Sequence, residues 1–157
     1  MTIKLLAIGK TDNTNLQTLI EDYEKRLGHY IKFEFEVLPD LKKAKHLSEA
    51  QQKEKEGEII LSKVQNPEVL VLLDERGKAL TSVTFAKDLQ KYMNSGIKSL
   101  VFVIGGPYGF SDAVYQRANG KLSLSKMTFS HQMVRLFFVE QLYRGFTILR
   151  NEPYHHE

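Results

Sequence analysis

Cysteine is missing altogether from this 157-residue chain, and that absence excludes several chemistries at once. Disulfides cannot form, and cysteine nucleophiles, thiolate zinc sites and iron–sulfur clusters are ruled out. The default compartment of such a chain is the cytoplasm. No apolar run reaches the length of a membrane span, and residues 1–6 read as a strand rather than a signal peptide. Excess charge is scarce too: 22 basic against 19 acidic residues leave a formal +3. That balance suits a polyanionic partner without demanding one. The histidines are scattered at His29, His46, His131, His155 and His156, which offers a metal no ligand cluster. Repeats, low-complexity tracts and linkers are absent, so residues 1–157 are expected to form one domain.

What is present alternates between strand-like and helix-like segments. Residues 3–8 form an apolar strand ending at Gly9, and Leu16, Leu19, Ile20, Tyr23 and Leu27 repeat at the spacing of one helix face. Phe33, Phe35 and Val37 alternate with polar neighbours, which predicts a half-exposed strand at a sheet edge. Residues 48–64 read as a helix capped by Ser48, with a first half (49–58) so polar that it should be largely solvated. A strand at 69–73, a turn at 74–77 and a helix at 83–94 follow. Beyond the strand at 100–104, Ser111 or Asp112 caps a short helix, and residues 122–125 make a short strand. Repeated β-α-β units with wholly apolar strands predict an α/β fold: a mostly parallel sheet flanked by helices on both faces. The helix predicted over 130–149 has no clean polar face, so something must cover it: a second subunit, or the core of the chain itself.

Leu100-Val101-Phe102-Val103-Ile104-Gly105-Gly106-Pro107-Tyr108-Gly109-Phe110 runs a buried strand into a turn with three glycines. Ligands of open α/β sheets sit at the carboxyl ends of strands, and glycine lets backbone amides approach them. The run is neither G-x-G-x-x-G nor a P-loop. At a second strand end, Asp74 and Glu75 could hold a hydroxyl or a metal and Lys78 a phosphate, or all three could simply be solvated. Residues 122–132 interleave hydroxyls with apolar side chains, as either a ligand-wrapping loop or a helix cap built on Ser130. In the apolar helix, Glu140 and Arg144 stand four apart and can pair, while Arg135 must be paired or functional. Tyr154 and His155 follow Pro153 in a tail that offers a stacking ring and a near-neutral titrating group.

Taken together, Ile104-Gly105-Gly106-Pro107-x-Gly109, Leu124-Ser125-Lys126-Met127-Thr128-Phe129-x-His131, Glu140-Gln141-Leu142-Tyr143-Arg144 and Pro153-Tyr154-His155 resemble the small SPOUT methyltransferases of the RlmH type. The resemblance spans the chain and includes the early Ile8-Gly9-Lys10. It implies a SPOUT-type sheet with a C-terminal trefoil knot, and a homodimer with the last helix in its interface. It implies S-adenosylmethionine as cofactor, bound against Leu73, Gly105, Leu124, Ser125, Lys126, Met127, Thr128 and Phe129. The implied reaction is methylation of N3 of a pseudouridine in 23S rRNA, within an assembled ribosome. The neighbouring subunit's tail would complete each site. No metal and no membrane enter this chemistry.

Within that resemblance, His155 is the candidate base or proton relay, Tyr154 would orient the flipped base, and Arg144 would stabilise negative charge or grip phosphate. Two departures stand out: Ser130 occupies a position that is often proline, and His156 one that is often a cation. A SPOUT-like enzyme acting on another RNA, and a non-catalytic RNA- or nucleotide-binding protein, are the alternatives.

Overall fold

The computed structural model describes residues 1–41 and 46–157. Strands and helices alternate as β1 (Thr2–Ile8), α1 (Thr14–Leu27), β2 (Lys32–Leu38), α2 (Glu49–Ser62), β3 (Val69–Ala79), α3 (Ser82–Asn94), β4 (Ser99–Ile104), α4 (Asp112–Arg117), β5 (Gly120–Ser123) and α5 (Met133–Leu149). All strand pairings are parallel, in the order β2-β1-β4-β3-β5. The expected parallel α/β sheet is present, with the alternating strand β2 at one edge.

Successive side chains of a strand point to opposite faces, and here both faces are covered. Ile3, Leu5 and Ala7 of β1, with Leu100, Phe102 and Ile104 of β4, pack under α1, α3 and α5. Leu6, Ile8, Val101 and Val103 pack on the other face with Ile60 of α2 and Val114 of α4. Double burial accounts for strands without a polar side. Ser48 caps α2 in a reciprocal capping box with Gln51, and Ser111 accepts from the Val114 amide to start α4.

Two local expectations need correction and a third holds with an exception. The residues predicted to turn at 74–77 instead bulge within β3, because β5 offers that strand a second stretch of pairing: Leu122 pairs with Leu73 before the shift and Lys78 after it. Gly77 permits this, since a Cβ there would stand 2.6 Å from the Leu122 amide nitrogen. The polar first half of α2 is largely exposed as expected, except that Gln52 and Glu56 are buried there. Lastly, α5 begins at Met133 rather than Ser130, although the Ser130 hydroxyl still accepts from the Met133 amide at 3.0 Å.

Most of the apolar surface of α5 is covered within the chain. Phe138, Val139, Leu142 and Phe146 enter the core against α1 and α3, each contributing about 1.5–3 kcal/mol by leaving water. Met133 and Phe137 remain exposed. Because the packing puts α1, α3 and α5 on one face and α2 and α4 on the other, the connections leaving β3 and β4 diverge to opposite faces. Divergent connections open a crevice at the carboxyl ends of the strands between them.

Candidate active site

A cleft of about 550 Å³ occupies that crevice. Leu73, Asp74 and Arg76 come from β3, and the turn after β4 supplies residues 104–110. The segment after β5 supplies Leu124, Ser125, Met127, Thr128, Phe129 and His131. Lys126, expected in the same set, is exposed and does not line the cleft.

The glycine turn is shaped by what stands behind it. A Cβ on Gly105 would fall 2.9 Å from the Phe110 ring, and one on Gly106 would fall 2.8 Å from Cδ of the buried Glu56. The Gly109 amide donates to the Gly106 carbonyl at 3.2 Å and closes the turn, with Gly109 at φ +80°. Across the cleft, the Ser123 hydroxyl donates to the Ser125 carbonyl at 2.8 Å, and the Ser125 hydroxyl accepts from the Met127 amide at 3.0 Å. Hydroxyls thus bend this segment back on itself, as local side-chain bonds do in turns.

Asp74 is fixed at both oxygens, accepting from the Arg76 amide at 2.9 Å and from the Tyr115 hydroxyl. Burial first, and Asp74 second, push the Tyr115 phenol up to about 12, so it stays a donor at neutral pH. Lys53 of α2 reaches the same cleft. A shallower depression of about 350 Å³ shares Arg76 and Tyr115 and adds Lys121, whose ammonium lies 5.5 Å from the centre of the Tyr115 ring.

A second cluster lies at the other end of α5. Glu140 accepts from Arg144 at 2.6 Å and from the Tyr154 hydroxyl at 2.9 Å, while Tyr23 of α1 meets Tyr154 oxygen to oxygen at 3.1 Å. The Arg144 guanidinium stacks 4.7 Å from the Tyr154 ring centre and donates to Nδ1 of His155 at 3.2 Å. Burial, then Tyr23 and Glu140, push the Tyr154 phenol upward, so its proton is firmly held. Burial works against the Arg144 charge, but Glu140 outweighs it and the pKa rises. The structure therefore brings Arg144, Tyr154 and His155 together, and none of the three lines the cleft of its own chain.

Residues 1–155 match the family model described as predicted SPOUT methyltransferase. The chain belongs to the SPOUT methyltransferase family. Over 157 residues it is 71% identical to a protein of Flavobacterium johnsoniae named ribosomal RNA large subunit methyltransferase H, covering 100% of both chains. Proteins of the same name from Flavobacterium psychrophilum and Bacteroides thetaiotaomicron are 71% and 57% identical, again over 100% of both chains. The solved SpoU methyltransferase AviRb from Streptomyces viridochromogenes, in complex with AdoMet, aligns with 90% of this chain and 56% of its own at 12% identity. Its TM-score is 0.44.

For a SPOUT methyltransferase, the cleft suits a donor of mixed polarity. Its volume lies within the roughly 300–1,000 Å³ usual for small-molecule sites. Leu73, Ile104, Leu124 and Phe129 offer apolar walls, while Asp74, Glu75 and Lys53 offer groups for hydroxyls and charged ends. At Gly105 and Gly106 a side chain would collide with Phe110 and Glu56 behind the turn, so the backbone itself faces the cleft there. S-adenosylmethionine, with an adenine, a diol and an amino-acid end, fits this donor set. Sequence reasoning missed Lys53, Glu56, Tyr115 and Tyr23. The spacing of Gln52, Glu56 and Ile60 could have shown the first turns of α2 continuing its buried face, since all three share one helix side and are buried.

Proposed function

We propose that this chain methylates N3 of a pseudouridine in 23S rRNA, using S-adenosylmethionine, as a cytoplasmic homodimer acting on an assembled ribosomal particle. One observation carries the reading. Leu73, Gly105 and the 124–129 segment converge on a single cleft, in a chain 71% identical along its whole length to a protein named for large-subunit rRNA methylation. The trefoil threading belongs to the same proposal. In its support, residues 124–132 pass from the β5 edge to the end of β1, where Gln132 bonds the Lys10 carbonyl, before α5 enters between α1 and α3.

S-adenosylmethionine held by Leu73, Gly105 and the 124–129 segment would supply an electrophilic methyl group, its sulfonium sulfur keeping the C–S electron pair as N3 takes the methyl. The chain must hold the base in line and manage the N3 proton. Tyr154 keeps its own proton and so orients the base rather than deprotonating it. Arg144, always cationic, faces the negative charge that spreads onto the base as N3 is stripped. Because Arg144 only donates, Nδ1 of His155 accepts, and a neutral ring then carries its hydrogen on Nε2. In that tautomer His155 donates to a base oxygen. It takes up the N3 proton only when Arg144 releases Nδ1, which is a relay role.

Three features support the homodimer: the tail cluster lies outside its own chain's cleft, while Met127 and Phe137 are exposed at or beside that cleft. A partner's tail would bring His155 to the donor and cover these side chains.

The test is methylation of ribosomes from cells lacking the protein, with mass-spectrometric mapping of 23S rRNA. One added methyl on a pseudouridine is expected, and His155→Ala should lower kcat by about 10²–10⁴, the range of a positioned acid or base. A methyl on another RNA, or none, overturns the reading. A His155→Ala rate equal to wild type removes that residue from the mechanism.

A further inference from the structure

Arg135 is 1% exposed, an unusual place for a guanidinium. Its bonds explain why it is tolerated. Nη1 donates to the Gly9 carbonyl at 2.7 Å and the Thr11 hydroxyl at 3.1 Å, and Nη2 donates to the Ile8 carbonyl at 2.9 Å. Nε donates to the carbonyl of His131 at 3.0 Å. Four of the five guanidinium hydrogens are therefore committed. Burial lowers the Arg135 pKa, while Asp12 and Asp40 act to preserve the charge.

The neighbouring Gln132 makes the same connection from the other side. Its Oε1 accepts from the Asp12 amide at 2.9 Å, and its Nε2 donates to the Lys10 carbonyl at 2.9 Å. Arg135 and Gln132 thus fasten residues 131–135 to the segment that follows β1. None of Ile8, Gly9, Lys10, Thr11 or Asp12 lines the cleft, but His131 does.

The wall of the cleft at 124–130 hangs between two supports. One is β5, ending at Ser123, and the other is this fastening. Between them, the Ser125 carbonyl accepts from Ser123 at the end of β5, the Ser125 hydroxyl accepts from the Met127 amide inside the segment, and Phe129 rests on Phe137 at 5.1 Å between ring centres. A segment held so lightly in its middle takes its position from its ends. If an end loosens, the segment must be ordered again when a ligand binds, and affinity falls by that entropy.

We propose that Arg135 and Gln132 are positioning residues of the donor cleft, latching its 124–131 wall to the carboxyl end of β1. The proposal rests on the reading of that cleft as the S-adenosylmethionine site. Gln132 is the cleaner probe, because water can satisfy Lys10 and Asp12 in its absence, whereas Arg135→Lys leaves buried carbonyls unmatched.

Calorimetry with S-adenosylmethionine should show Kd rising about 3- to 10-fold in Gln132→Ala, the worth of one net hydrogen bond, and further in Arg135→Lys. In turnover assays, the KM for the donor should move more than kcat. Amide exchange gives a readout that a purely structural role would leave untouched. In wild type the donor should slow exchange of the Asp12 amide, although Asp12 is outside the cleft, and Gln132→Ala should abolish that protection. Wild-type Kd values in folded Gln132→Ala and Arg135→Lys, or an Asp12 amide indifferent to the donor, overturn the latch alone. A wild-type protein that binds no S-adenosylmethionine overturns the donor site and the latch together.

Discussion

Replacing Gly106 with alanine isolates the packing behind the glycine turn. Gly106 lies outside the left-handed region, so its backbone tolerates an L side chain, and alanine would ordinarily gain about 0.4–1 kcal/mol from a stiffer unfolded chain. Here the new methyl would stand 2.8 Å from Glu56 Cδ, closer than packed carbons approach. Glu56 cannot step aside cheaply: it is 1% exposed, and Oε1 accepts from Gln52 at 2.9 Å. Overpacking of this kind costs about 1–3 kcal/mol, and disturbing a buried polar bond adds about 1–3 kcal/mol. A net loss of about 2–4 kcal/mol lowers the melting temperature of a domain this size by roughly 5–15 °C. Scanning calorimetry on Gly106→Ala, Glu56→Ala, Glu56→Gln and the double variants completes the test. Glu56→Ala should relieve part of the Gly106→Ala defect, whereas Glu56→Gln, which keeps the bulk, should not. A Gly106→Ala protein melting within 2 °C (roughly the shift expected for ~0.5–1 kcal/mol) of wild type, or strict additivity in both pairs, refutes the reasoning.

Two further predictions concern charge. Burial alone would raise the Glu68 carboxyl, but hydrogen bonds from Lys4 and the Gln65 amide outweigh it and hold the pKa below 4.5. A depressed carboxylate stabilises the fold above its unfolded pKa and loses that contribution as pH falls through the folded value. Glu68→Gln should therefore cost about 1–2 kcal/mol at pH 7 and converge on wild type in urea titrations below that window; a gap independent of pH sinks the account. Arg76 and Lys121 flank the depression beside the cleft, and exchanging both for glutamine should flatten the salt dependence of RNA binding by about one unit of slope per cation. An unchanged slope removes that surface from the RNA contact.

Strand and helix identities were largely legible in the sequence, because β1 and β4 are short apolar runs closed by glycine while the apolar residues of α1 repeat at the helical period. The sheet order was not, since nothing local says that β4 inserts between β1 and β3. Residues 74–77 looked like a turn because charges and a glycine punctuate them, yet Gly77 serves there to admit the β5 backbone. Glu56 lies in the 49–58 stretch read as largely solvated for its polarity, and its burial depends on the bare backbone of Gly106, which faces it from the turn after β4, while Gly57 lets α2 pack closely on Ser111 and Val114. At the tail, Tyr154, His155 and Arg144 were singled out, but the part of Tyr23 in holding them needed α1 and α5 side by side. The donor wall was legible as a segment, while its fastening to β1 was a matter of tertiary contacts alone.

The position of β1 has a kinetic side. It precedes β2 to β5 in the chain, yet it sits inside the sheet, where Thr2 pairs with both Lys32 and Ser99. Until β4 arrives, one flank of β1 is an open hydrogen-bonding edge lined with aliphatic residues, and the core beneath it waits for α5, the last element in chain order. Assembly therefore cannot advance steadily from one terminus, and distant segments must meet before any of the sheet is secure. Substitutions that slow that meeting should lose yield through aggregation of the half-built sheet, even where the finished molecule would have been stable.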